Sequence, residues 1–427
     1  MNHQYFISLN NSYFYQYPMN FCFDYQYSTL LLVYQQVIFF KEKKEYFDSF
    51  NNIFVWPKYL KEHLGLMGFQ IDNGAIKSFS YHDSLYDYAL VLNYIKKVSI
   101  KFNVDNTFFF FFRSDTVEHT ISNNINIDIL NLPFFKMSKK ISFNSLEQNM
   151  LMIPDAYMID PIKRSYINYS LTKDIDFLDK IGKGIFRGST TGNNCLFNIL
   201  AKKKDQCPRL KLIMQSQYCS GKVDAEFSSV YSEYKNETYL SICCNYKTLT
   251  EHLNYKFIVS QDGHSSSFMR IPFAMQSHSL LIKQEEATVQ WFYHALKPYY
   301  NYIPISDSTN ICFYTDYLNL FPSRNINIVE NSNYLSRNIF TVNSLLDYTA
   351  SILNEYSKIS KDYNSSNQQI PPLEHTLLKG EGLNTDIENI ATGSIYFLLE
   401  NMEQNNIPAI LGEYLIHSIN EIGDGWV

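Results

Sequence analysis

Basic stretches, paired cysteines and long apolar runs are what this 427-residue sequence has least of. Its net charge is −6 and its pI about 5.9. No basic stripe runs along it, which argues against a nucleic-acid binder. The runs Lys41–Lys44 and Lys202–Lys204 are short and read as solvated faces. The seven cysteines form no Cys-x-x-Cys pair. That spacing argues against zinc, and an odd count suggests free buried thiols in a reducing compartment. The apolar stretch Leu30 to Phe40 is broken by Gln35 and Gln36. It falls far short of the ~20 residues of a membrane span. The N-terminus lacks a basic segment followed by a clean apolar one, so no signal peptide is expected. The ending Gly423-Asp424-Gly425-Trp426-Val427 is no retention signal. A cytoplasmic location follows as the expectation. No internal repeat occurs.

What is abundant is apolar and aromatic surface. Hydrophobic residues make up 45% of the chain and charged ones only 18%. Such a chain can bury a large core, and its length suits two or three domains. The 34 Tyr and 32 Phe read mainly as coding bias in an AT-rich genome. Leu85 to Val98 has helical spacing. Thr107 to Phe112 is a continuous apolar run, as in a strand buried on both faces, and the polar residues after it fall at the strand's carboxyl end. In open α/β sheets that edge binds ligands. Asn149 to Asp155 reads as a strand entering a loop. Asp174 to Lys180 reads as polar and helical. Gly184 to Arg187 reads as a strand followed by a flexible loop, and Lys211 to Met214 as a strand or a helix start. Tyr255 to Ser260 is an expected strand with a turn at Gln261-Asp262-Gly263. A helix begins within Ser267 to Met275, and Ser279 to Lys283 is again a strand. This alternation predicts an α/β domain with a largely parallel sheet. Thr341 to Lys361 has helical spacing with Thr341 or Asn343 as cap. Asp362 to Pro372 reads as a linker, and the remainder as mostly helical.

Three features carry chemistry. Between Gly182 and Gly192 lie four glycines, ending in Arg187-Gly188-Ser189-Thr190-Thr191-Gly192. Small residues after a strand let backbone N–H groups approach an anion, although most such loops are plain surface turns. The Walker spacing is missing. Arginine is scarce against lysine, so Arg113, Arg187, Arg209 and Arg270 stand out. Each reads either as a fork for phosphate oxygens or as half of a structural ion pair. Asp115, just after a buried strand, reads as a proton acceptor or as a turn or cap residue.

Several stretches together resemble glycosyltransferase family 90. They are Tyr255 to Gly263, Ser267 to Arg270, Ser279 to Glu285, Trp291 to Tyr293 and Leu296 to Ile305. Phe186-Arg187-Gly188-Ser189 is similar to the family's FRGS element, and Val223-Asp224-Ala225-Glu226-Phe227 to its VDAE element. Arg209 lies where the family carries an arginine after the glycine loop. Phe112-Arg113-Ser114-Asp115 sits where relatives have a strand-end aspartate, reading RSD in place of the secretory members' VRD. The resemblance runs from about residue 80 to residue 360.

What it implies is an α/β protein of GT-B-like fold: two Rossmann-like domains facing a cleft, with a C-terminal helical extension. The expected boundaries are an acceptor-side domain at 1–180, a nucleotide-sugar domain at 181–340, a closing helix at 341–361, and a linker with helical tail at 362–427. The implied activity is inverting, metal-independent transfer of a glucose- or xylose-type sugar from a UDP-sugar donor to a hydroxyl. The family needs no Asp-x-Asp metal motif, and the sequence shows no convincing one. No other cofactor is implied. Asp115 would be the general base. Gly188, Ser189 and Arg209 would hold the donor diphosphate, with Arg270 beside them. Asp224 and Ala225 would lie near the uracil and ribose. Secretory members carry a signal peptide, disulfides and a retention tail. The sequence shows none of these, which favours lipopolysaccharide biosynthesis in the cytoplasm, on a glycan or lipid-linked acceptor, with peripheral membrane association and no nucleic acid. The alternatives are a protein Ser/Thr acceptor, or an inactive member that binds nucleotide or glycan without turnover.

Overall fold

A computed structural model of the protein describes residues 65–80, 85–104, 106–113, 134–140, 150–192, 207–219, 221–229, 246–266, 269–285 and 288–364. The described chain divides into two compact units. One holds residues up to Asp160 together with Thr341 onward, and the other holds Pro161–Phe340.

The first unit opens with a hairpin, β1 (Leu66–Asp72) and β2 (Ala75–Ser80). Asn73 and Gly74 turn it, with φ of 49° and 81°. Two positive φ values in a two-residue loop match the twist of the flanking strands, which is why Asn-Gly suits this turn. Helix α1 (Leu85–Phe102) precedes β3 (Thr107–Phe112), and β4 (Phe135–Lys136), β5 (Ser138–Lys140) and β6 (Leu151–Met152) follow. The sheet order is β2-β1-β3-β4-β6, antiparallel on the hairpin side and parallel across β3, β4 and β6. Every residue of β3 is buried. Phe109 stacks on Phe69 at 5.4 Å, and Phe112 lies 4.1 Å from Phe134. Asn106, just before β3, accepts from Asn73 N–H at 2.8 Å and donates to Asp72 at 3.1 Å. Asp155 caps the 3₁₀ turn Ala156–Ile159.

The second unit begins with α2 (Pro161–Lys173) and continues through β7 (Ile181–Ser189), α3 (Pro208–Tyr218), β8 (Val223–Ser229), α4 (Leu249–His252), β9 (Tyr255–Ser260), α5 (Arg270–Gln276), β10 (Leu280–Gln284), β11 (Thr288–Gln290), β12 (Ile303–Ile305), α6 (Ile311–Asn319) and α7 (Pro322–Ile339). Its sheet runs β12-β10-β9-β7-β8, and every pair is parallel. One face packs Phe186, Ala225, Phe257 and Ile282 against Leu210 and Ile213 of α3 and Leu318 of α6. Cys207 caps α3, and Pro208 follows at its first turn, where a missing N–H costs nothing. Thr248 and Glu251 close a capping box on α4. The chain then returns to the first unit as α8 (Val342–Asn364). Thr341 caps α8 by accepting from Ser344 N–H at 3.1 Å. Tyr94 of α1 donates to Leu345 O at 2.9 Å, and Tyr356 meets Phe135 edge-on at 5.1 Å.

The alternating α/β reading holds, and of the two alternatives for Lys211 to Met214 the structure takes the helical one, in α3. Two local readings change. Asp174 to Lys180 forms only the 3₁₀ turn Phe177–Asp179, because the Asp174 carboxylate pairs with the buried Lys180 ammonium and accepts from His278 N–H. The expectation of free thiols is overturned for Cys207, which is disulfide-bonded, and for two further cysteines. Cys219, at the end of α3, is bonded to Cys312 of α6. Their Cα atoms are 6.1 Å apart, within ordinary disulfide reach. Cysteine usage therefore no longer argues for a reducing compartment. Among the described residues no helix is long and apolar enough to cross a membrane. The readings of Leu30 to Phe40, of the linker beyond Asn364 and of the helical tail lie outside the described residues.

Candidate functional site at the carboxyl edge of the parallel sheet

The five parallel strands place the second unit's site. From β7 the chain crosses to β8 on one side, whereas β9, β10 and β12 are laid down on the other. In chain order the strands therefore stand second, first, third, fourth, fifth. Two crossovers leaving in opposite directions open a crevice at the carboxyl ends of β7 and β9, the position where doubly wound sheets bind ligands. Two loops border it, Ser189 to Gly192 after β7 and Gln261 to Gly263 after β9.

Those loops touch main chain to main chain. Gly192 has φ +96°, and a Cβ there would lie 2.6 Å from Gly263 O. A Cβ on Gly263 would lie 2.6 Å from both Arg209 Nη2 and Thr191 Oγ1. Both positions demand glycine, the first for its backbone angle as well as its space.

Arg209, near the start of α3, locks the two loops together. It is 7% exposed. Its Nε donates to Asp262 O at 3.0 Å and its Nη2 to Gln261 O at 3.2 Å. Its Nη1 donates to Ser189 O at 2.9 Å and to Thr191 Oγ1 at 2.6 Å. Four donations to two loops use most of a five-donor fork. Gly188 lies against the same guanidinium: a Cβ there would come within 3.3 Å of Nη1.

Arg270 opens α5 and presents the opposite case. Its Nη2 donates to Arg187 O. Its Nε and Nη1 are buried and have no hydrogen-bond partner among the described residues. The guanidinium lies 4.9 Å from the centre of the Phe186 ring, and that of Arg209 lies 5.9 Å from the same ring. Burial and the neighbouring charge of Arg209 press the pKa of Arg270 down to about 9, and Asp262 opposes them. At neutral pH this is a desolvated cation with two nitrogens unpaired among the described residues. An anion is the species that would relieve both conditions.

The VDAE element divides between the faces of the sheet. Asp224 pairs in register with Ile185, and Ala225 with Phe186. Successive strand residues alternate faces, so the Ala225 methyl joins the packed core while the Asp224 carboxylate lies on the other side. There Arg187 donates to Asp224 Oδ1 at 2.6 Å and Tyr255 to Oδ2 at 2.6 Å, with Lys247 at 3.7 Å. Burial pushes the Asp224 carboxyl up. The hydrogen bonds from Tyr255 and Arg187, with the charges of Arg187 and Lys247, outweigh it and leave the group below its ordinary value. His252 is 2% exposed, and neither of its ring nitrogens has a partner among the described residues. Burial, then the charges of Arg270 and Arg187, hold it neutral with a pKa of about 3.

The structure thus gathers Gly188, Ser189, Arg209 and Arg270 at one edge. Arg187 bridges from there to Asp224, and Ala225 faces away. Asp115 lies outside the described residues. Its neighbour Arg113 takes the ion-pair reading: it lies 3.7 Å from Asp87 and over the Tyr157 ring at 4.8 Å. Sequence reasoning missed His252, and it read Asp262 only as a turn residue. The four-residue spacing of a capping box before β9 was the one signal near His252. The sequence Asp174-Ile175-Asp176 has the spacing of a metal motif, but Asp174 is tied to Lys180.

Comparison with known proteins bears on the same region. Residues 171–381 match glycosyl transferase family 90. The chain is also similar to the uncharacterized protein 035R of Invertebrate iridescent virus 3, with 26% identity over 224 residues. That alignment covers 50% of this chain and 19% of the viral protein, so the chain spans about a fifth of this curated relative's length.

Proposed function

We propose, for a chain that carries a glycosyl transferase family 90 domain, that it moves a sugar from a UDP-activated donor to an acceptor hydroxyl, with inversion and without a metal. The observation that carries the reading is Arg270. Its buried guanidinium, with two donors unpaired among the described residues, stands at the switch point of a doubly wound sheet. Departing UDP develops charge on its diphosphate, and a preorganised cation in a dry site stabilises that charge strongly. Arg209 serves by holding the Ser189 to Gly192 and Gln261 to Gly263 loops together, so that their backbone can border the diphosphate. Asp224, fixed by Arg187 and Tyr255, stands ready for the ribose or uracil. The pairing of Asp174 with Lys180 supports a metal-independent reading. Inversion is a single in-line displacement and needs one base, a role assigned to Asp115. The acceptor is read as a glycan or lipid-linked hydroxyl in surface-polysaccharide or lipopolysaccharide assembly.

The test pairs thermal shift with UDP and a UDP-release assay over a panel of UDP-sugars, with and without hydroxyl acceptors. Stabilisation by UDP together with release is expected. Asp115→Asn should abolish release while leaving UDP binding within a few-fold. Binding without release under every condition would leave a nucleotide-binding protein and remove the transferase reading.

A further inference from the structure

Helix α3 has a disulfide-bonded cysteine at each end. Cys207 stands immediately before it, fully buried, and its sulfur accepts from Leu210 N–H at 3.3 Å. Cys219 stands immediately after it and is bonded to Cys312 of α6. Asn319, at the other end of α6, donates to Gly182 O of β7 at 2.8 Å. The second staple therefore leads back to the strand that carries the Ser189 to Gly192 loop.

Arg209 sits between the staples, two residues from Cys207. Its donations to Asp262 O, Gln261 O, Ser189 O and Thr191 Oγ1 run from 2.6 to 3.2 Å. The acceptors lie on two loops, and α3 decides where the donor stands. α3 grips the sheet through Leu210, Leu212 and Ile213, with a long hydrogen bond from Ser216 Oγ to Ala225 O at 3.3 Å. Apolar contact resists separation but sets no direction, so it tolerates a small slide or turn of the helix. Hydrogen bonds of this length do not survive a shift on the order of 1 Å. Fixed ends supply what apolar packing leaves undetermined.

Resting on the donor reading above, we propose that the disulfides at the two ends of α3 position Arg209, so that the chain binds its nucleotide-sugar donor tightly when oxidised and weakly when reduced. Cys207, Cys219 and Cys312 are then positioning residues, and the chain works in oxidising surroundings. A dithiol disarms it. Each S–S bond breaks, two protein thiols form in its place, and the dithiol closes into its own cyclic disulfide.

The experiment is calorimetric titration with UDP of wild type, Cys207→Ser, Cys219→Ser combined with Cys312→Ser, and Arg209→Lys, each before and after dithiothreitol. Thiol titration confirms reduction, and melting points confirm folding. Serine is a good helix cap, so Cys207→Ser removes the disulfide while a side-chain oxygen still accepts from Leu210 N–H. Reduction should weaken UDP binding by wild type about fivefold to tenfold, the scale of one hydrogen bond. The cysteine variants should show that loss, whole or in part, without reductant. Arg209→Lys should start weaker and lose nothing more on reduction, because the staples act through that guanidinium. Disulfides that only stabilise would lower the melting point and leave UDP affinity unchanged, a result that overturns the proposal. An equal loss on reduction in Arg209→Lys and wild type overturns it as well. If reduced wild type melts below the assay temperature, the cysteine variants carry the test. In all these outcomes UDP binding by oxidised wild type still upholds the donor reading. If oxidised wild type binds no UDP, the donor reading fails and the positioning proposal falls with it.

Discussion

Replacing Arg270 with methionine should make the unliganded protein more stable and blind to UDP. The guanidinium is held at a pKa of about 9 against an ordinary 12.5. At 1.36 kcal/mol for each tenfold, that gap disfavours the buried charge by about 5 kcal/mol. Methionine removes the charge and keeps an unbranched side chain of similar reach. It forfeits the hydrogen bond to Arg187 O and the stacking on Phe186, together worth about 2–3 kcal/mol. The net expectation is a gain of about 2–3 kcal/mol, in line with other buried charges replaced by apolar groups. The assay is urea unfolding of wild type and variant, each with and without UDP. At a hundred times its dissociation constant, UDP should add about 2.7 kcal/mol to wild type and almost nothing to the variant. A gain without UDP together with a lost response to UDP is the signature of a residue kept for binding at the expense of stability. A variant less stable than wild type that still gains from UDP would refute the reasoning, because Arg270 would then be a structural residue.

Three other expectations follow from the same geometry. Arg209→Lys keeps the charge but cannot span four acceptors, so unfolding experiments should show a loss of about 2–4 kcal/mol and UDP titration a weaker site. His252 is neutral when folded down to about pH 3 and takes up a proton near pH 6.5 when unfolded. Stability should therefore fall as pH drops from 6.5 toward 3, by about 2 kcal/mol at pH 5 from this group. His252→Leu should flatten that stretch of the stability curve, and an unchanged slope would remove the assignment. Cys219 and Cys312 close a 93-residue separation, so Cys219→Ser combined with Cys312→Ser should cost about 2–4 kcal/mol in urea unfolding.

Much of the scaffold was legible because its signals are local. The phenylalanine run of β3, the apolar strand β9 and the threonine cap of α8 each follow from a few adjacent residues. The glycine loop was also found, and its neighbour Arg270 was singled out. The division of labour between the two arginines was not visible. Arg209 donates to carbonyls 52 and 53 residues away, and main-chain acceptors leave no mark in side-chain identity. The same holds for the disulfide, whose partners are set by the packing of α3 on α6. His252 itself gave no signal beyond the capping box that precedes it, because an unpaired buried group is a property of its surroundings. Ala225 was grouped with Asp224 by the resemblance to one family element, and strand alternation puts the two side chains on opposite faces.

The all-phenylalanine interior of β3 has a consequence for how its sheet assembles. A strand with the same side chain at five successive positions offers no inside-outside code, so sliding it by one residue would exchange like for like. Alignment must come from its end. Asn106 supplies it by gripping both Asp72 and Asn73 at the hairpin tip, a polar latch that fits only one offset of the strand against β1.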